Sequence, residues 1–121
     1  MIVDAANVMG SRPDGWWRDR PGAAVRLSDQ LRAAMAAGQL SGPVVLVLEG
    51  AARAGVPEGG GDGMRVVHAS GSGDDAIVAL ARDAVHAGHP VTVVTADREL
   101  RDRVRAAGGE VAGPSWLLGQ L

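Results

Sequence analysis

The stretch Val91-Thr92-Val93-Val94-Thr95-Ala96-Asp97-Arg98 decides the fold. Apolar and β-branched residues run almost directly into a carboxylate. Such an unbroken run reads as a strand buried on both faces, which requires a parallel sheet covered by helices. Asp97 then stands at the strand's carboxyl end, the edge along which open α/β sheets bind ligands.

The same pattern recurs on either side. Met1-Ile2-Val3 is a short apolar strand ending at Asp4, and Val44-Val45-Leu46-Val47-Leu48 is a second buried strand ending at Glu49. Met64 to Ala69 is a third, joined by Ser70-Gly71-Ser72-Gly73 to a helix over 74–87 with Ile77, Leu80, Ala81, Ala84 and Val85 inward. The stretch 91–95 is the central strand. A helix over 99–107, an edge strand Glu110-Val111-Ala112 and a turn of helix near Ser115 follow. Between the first two strands, a helix over 21–37 carries the apolar stripe Ala24, Leu27, Leu31 and Met35, with Pro21 in its first turn and Gly38 at its end. Residues 5–20 read as a loop, and 51–63, with Gly55, Gly59, Gly60, Gly61 and Gly63, as a mobile one. The alternation specifies one domain over 1–121, a three-layer, doubly wound, mostly parallel α/β sheet of about five strands.

Composition narrows the function. The chain has no Cys, so disulfides, thiol nucleophiles and thiolate metal sites are out. Every basic residue is Arg, a sign of biased composition, and the net charge of −2 by itself argues against a simple nucleic-acid coat protein. If several acids are metal ligands, the remaining surface is net positive and compatible with an anionic substrate. No apolar run approaches a membrane span, and the N-terminus lacks a secretory signal, so a soluble cytoplasmic protein with no membrane partner is expected.

Four acids fall at matching points: Asp4, Glu49, Asp74 at the start of the 74–87 helix, and Asp97. A parallel sheet projects all four from one edge. Crowded carboxylates raise each other's pKa unless a cation lies among them, and oxygen-only ligands suit Mg²⁺ or Mn²⁺. Asp4 and Asp97 could otherwise be turn residues or helix caps, and Glu49 could be solvated. Asp75 either joins the ligands or reaches back to Ser72 in a capping box. Trp16 and Trp17 cannot both face one core. They form a loop lid or a platform for a nucleotide base. Arg98 is the first choice for holding a phosphate, then Arg12, Arg18 or Arg53, because the guanidinium fork matches phosphate oxygens. Arg101, Arg103 and Arg105 read as a solvated face paired with Glu99 and Asp102. None of the three histidines is assigned to catalysis.

Asp4-Ala-Ala-Asn7, Gly73-Asp74-Asp75-Ala-Ile77 and Thr95-Ala-Asp97-Arg98-Glu-Leu100 with Gly108-Gly109 beyond resemble the NYN branch of the PIN-like nucleases, which includes the bacterial YacP-like ribonucleases. The resemblance spans nearly the whole chain. It implies a PIN-like fold and Mg²⁺- or Mn²⁺-dependent endonucleolytic cleavage of RNA. It matches Asp4, Asp74 and Asp97 to the metal-binding acids and Asn7 to the residue orienting the first acid or the substrate. Thr95 matches the hydroxyl before the last acid. Glu49 stands where the family more often shows Asp. In-line attack by water would leave a 5′-phosphate and a 3′-hydroxyl. The alternatives are a catalytically degenerate PIN-like module binding RNA or a protein, and a nucleotide or phosphate-ester hydrolase. A toxin role rests on fold analogy alone. A receiver-like phosphorylation domain is disfavoured because the chain has no Lys. Trp116-Leu117-Leu118 would cover the sheet edge or seat a second copy in a homodimer.

Overall fold

The computed structural model describes residues 1–121. Its elements run β1 (Ile2–Asp4), α1 (Ala5–Gly10), α2 (Arg20–Ala36), β2 (Val44–Leu48), β3 (Gly59–Gly61), β4 (Met64–His68), α3 (Gly73–His86), β5 (Thr92–Val94), α4 (Arg98–Ala106), β6 (Glu110–Ala112) and α5 (Pro114–Leu118), with 3₁₀ turns at Trp16–Arg18 and Gly50–Ala54. The sheet has six strands in the order β3-β4-β2-β1-β5-β6, parallel throughout except β3. The expected α/β class holds, with one strand more than anticipated.

Strand alternation feeds two cores. Val3, Leu46, Leu48, Val66 and Val94 pack with Ala24, Leu27 and Leu31 of α2, Val8 of α1 and Leu117 of α5. Ile2, Val47 and Val93 pack with Ile77, Val78 and Ala81 of α3 and Leu100 and Val104 of α4. Two helical layers therefore sandwich the sheet. Within the tail, Leu117 is buried while Trp116 is exposed. No helix is long and apolar enough to cross a membrane.

Three local expectations need correction. The central position belongs to β1 and β2; the 91–95 stretch forms β5, one strand in from the β6 edge. Residues 5–20 are not all loop: α1 forms at once after β1, because Asp4 caps it by accepting from the Asn7 N–H. A helix this short has too few apolar positions to show a period. The glycine-rich stretch 51–63 holds a 3₁₀ turn and the edge strand β3, which pairs antiparallel with β4. His68 pins it, its ring at 2.7 Å from the Val56 carbonyl and its N–H donating to Glu58 at 2.6 Å. Glycine-rich backbone still carries ladder donors and acceptors, and no side-chain pattern announces them.

The topology sets the site. The chain winds outward from β1 to β2 and β4, then returns to β5 on the other side of β1. The switch point lies between the carboxyl ends of β1 and β5, where such folds open a crevice.

Candidate active site

Asp4 ends β1 at that switch point and is only 5% exposed. Its Oδ1 accepts from the Asn7 N–H at 3.3 Å, and its Oδ2 accepts from the Thr95 hydroxyl at 3.0 Å. Burial pushes its pKa up to about 6; Thr95 and Asn7 pull it back, while Asp74 and Glu49 push it further. The fully buried Thr95 also accepts, at its Oγ1, from the Asp97 N–H at 3.2 Å. One hydroxyl thus orients the Asp4 carboxylate and anchors the backbone at Asp97, joining the ends of two strands adjacent in space.

Asp97 is both cap and edge residue: its Oδ1 accepts from the Leu100 N–H at 2.9 Å, starting α4, and its charge raises Asp74. Asn7 closes the other side, its side-chain oxygen accepting from the Ala96 N–H at 2.8 Å. Asn7 therefore ties α1 to the loop after β5.

Asp74 lies half-buried in the first turn of α3. Its pKa is raised by burial, then by Asp97 and Glu49, against a lowering by Arg103. Glu49 follows β2, and its Oε2 accepts from the Gly73 N–H at 3.1 Å. Asp4, Glu49, Asp74 and Asp97 thus form one electrostatically coupled set along the carboxyl edge. As the side chains stand, no three acidic or imidazole groups converge closely enough to enclose a cation. The set is an open edge. By donor chemistry it fits Mg²⁺ or Mn²⁺: oxygen only, mutually repelling, with the most buried member raised out of its ordinary range.

Asp75 turns away from this set. The capping box does not form, since Ser72 makes no side-chain hydrogen bond at the start of α3. Asp75 instead meets Arg103 of α4 at 2.9 Å, with its side chain 74% exposed. Asp75 is absent from the charges that raise Asp4 and Asp74, while Arg103 is the cation that bears on Asp74. Its pairing across α3 and α4 spans 28 residues, so no local spacing could have revealed it. Only Arg105 pairs with Asp102, loosely at 4.0 Å.

The other arginines divide. Arg98 is exposed in the first turn of α4 and lines a shallow basic cleft with Arg101, Asp102 and Arg105. Arg12 is half-buried in the loop after α1. Arg18 lies over the exposed ring of Trp17 at 5.7 Å. Arg53 corrects an expectation: it donates to the Gly50 and Ala69 carbonyls at 3.1 and 3.3 Å, clipping the exits of β2 and β4 together. Trp16 is half-buried, edge-on to Trp17 at 6.1 Å, with Arg20 over its ring at 5.5 Å. Trp16 and Arg20 share a depression with Glu49. Arg20 escaped the sequence reading because its only signal is a position four residues beyond Trp16. A larger depression, about 580 Å³, lies instead beside the entry to β2 around Met35, Leu40 and Gly42.

No family profile and no curated protein sequence matches the chain. Its fold is similar to the crystal structure of Rae1 (YacP) from Bacillus subtilis, with a TM-score of 0.72 and 16% identity over 98% of this chain and 71% of that one. The W164L mutant of the same protein matches with a TM-score of 0.72 and 18% identity, covering 98% and 72%. At this identity the likeness establishes a YacP-like α/β fold.

Proposed function

We propose that the chain is a divalent-metal-dependent endoribonuclease of the NYN/PIN-like type, acting on RNA at the carboxyl edge of its sheet. The observation that carries this reading is the coupling of Asp4, Glu49, Asp74 and Asp97 across the switch point, with Asp4 buried and braced by Thr95. The motif resemblance and the YacP-like fold support it. Asp4, Asp74 and Asp97 would hold Mg²⁺ or Mn²⁺, with Glu49 as a further ligand. The ion, when bound, supplies neutralisation of the acids, activation of water and stabilisation of charge on a phosphate oxygen.

The protein's own residues prepare the edge. Thr95 and the Asn7 N–H aim the Asp4 carboxylate, and the α4 cap aims Asp97. Asn7 accepts from the Ala96 N–H, which ties the helix after Asp4 to the segment before Asp97. Arg98, exposed and next to Asp97 in the chain, would pair with a backbone phosphate.

The test is cleavage of end-labelled RNA with Mg²⁺, with Mn²⁺ and with EDTA, beside Asp74→Asn. Metal-dependent cutting within the strand, lost in the variant while its fold persists, is expected. Cutting that survives EDTA, or full activity in Asp74→Asn, defeats the reading. A second reading, a PIN-like module that binds RNA or a protein without cutting, draws on the open arrangement of the acids and the engagement of Glu49 with the Gly73 N–H. Metal-independent RNA binding with no turnover is its signature.

A further inference from the structure

We infer that the depression between Trp16, Arg20 and Glu49 is a base-binding subsite, which receives a nucleobase of the strand whose phosphate lies at the acids. The inference rests on the proposed ribonuclease reading for its ligand and on separate geometry for its place. The pocket holds about 340 Å³, at the small end of ligand pockets. Ala6 and Met9 of α1 contribute to its lining, with Trp16 and Arg20 from the segment that follows. Small residues complete the lining: Ala52 and Gly71 carry no side chain beyond Cβ.

Three properties select a nucleobase. An indole offers a π-face, and base–aromatic stacking tolerates any sequence. The Arg20 guanidinium, ordered against that ring at 5.5 Å, adds a cationic stacking plane and a charge for the adjoining phosphate. Glu49 belongs both to this pocket and to the coupled acids, so a base held here belongs to a nucleotide next to the reacting phosphate. Trp16 packs in part against the main core, and its remaining surface lines the pocket together with Ala52 and Gly71.

The experiment is binding of short, fluorescently labelled single-stranded RNA, measured both with Ca²⁺ to neutralise the acids and in EDTA, with an abasic nucleotide placed at each position in turn. Wild-type protein should lose about 5- to 150-fold in affinity at one position and little elsewhere. Trp16→Ala should weaken the intact RNA by a similar factor and make that position silent, and Trp16→Phe should recover part of the loss. The abasic series needs no variant, so a poorly folded Trp16→Ala leaves the test intact. Equal affinity at every abasic position, or no binding of any short RNA, overturns the subsite. Base-dependent binding without metal-dependent cutting defeats the nuclease reading alone. Cutting with no dependence on any base defeats the subsite alone.

Discussion

The Thr95 hydroxyl donates to Asp4 Oδ2 at 3.0 Å across 91 residues of sequence, and both side chains are buried. Because the same oxygen accepts from the Asp97 N–H, this one contact joins the two strand ends that flank the switch point. Thr95 touches no reacting atom in this arrangement; it is a positioning residue. Thr95→Val keeps the shape and removes both hydrogen bonds. It should cost about 1.5–3 kcal/mol in urea unfolding, since the lost bond serves a buried carboxylate. Thr95→Ser should recover most of that. Equal stability of wild type and Thr95→Val would contradict the assignment.

Asp4 makes the fold sensitive to pH. Its folded pKa of about 6 lies above the ordinary value of 3.8, so the folded state binds its proton more tightly than the unfolded chain. The stabilisation is complete below the unfolded value and is lost as pH rises through the folded one. The loss between about pH 4 and pH 6 is on the order of 2–3 kcal/mol for the metal-free protein. Asp74, also raised, acts in the same direction. Asp4→Asn should flatten the dependence, and denaturant midpoints at acidic and neutral pH measure it. Parallel slopes in the two proteins would refute the buried, charged Asp4.

Two substitutions separate the two duties of Asp97. Asp97→Asn retains a good N-cap for α4 and should leave stability within a few tenths of a kcal/mol while abolishing metal-dependent cleavage. Asp97→Ala should lose the same activity and about 1 kcal/mol besides. Thermal unfolding beside the cleavage assay distinguishes them. Full cleavage by Asp97→Asn would reduce this acid to a cap.

Gly55 tests whether the glycine-rich segment is docked. A Cβ there would collide with the Pro21 carbonyl at the start of α2, a backbone atom that cannot swing aside. Gly55→Ala should destabilise by about 1–3 kcal/mol, as overpacking does. Gly61→Ala, where a Cβ meets open space, should be far milder. Equal effects in the two variants would mean that the segment is not held against α2.

Much of this was legible beforehand. The runs 44–48 and 91–95 announced themselves through unbroken β-branched or apolar residues, and strands form at Val44–Leu48 and Thr92–Val94; the edge strand Glu110–Ala112 is bracketed by Gly108-Gly109 and Gly113-Pro114. Asp4, Glu49, Asp74 and Asp97 could be nominated because each follows a strand or opens the helix after one, and in a parallel sheet that position means one edge. By sequence Asp75 stands between metal ligand and capping box, beside the Asp74 assigned to the site, since its role on a first helical turn depends on a partner that no local spacing shows. Arg103, 28 residues away on another helix, is that partner.

By itself the sequence determined the layered parallel architecture and the set of acids, because period and position are local properties. The tertiary structure decided which groups meet. It brought the exit of β5 beside β1 rather than beside β4, which is what lets Thr95 reach Asp4. It folded glycines 59–61 into an edge strand through backbone bonding alone. It also set Trp16 and Arg20 beside Glu49 across the β2 exit. Each of these depends on strand order and loop closure, and contacts between residues far apart in the chain leave no trace in any short window of it.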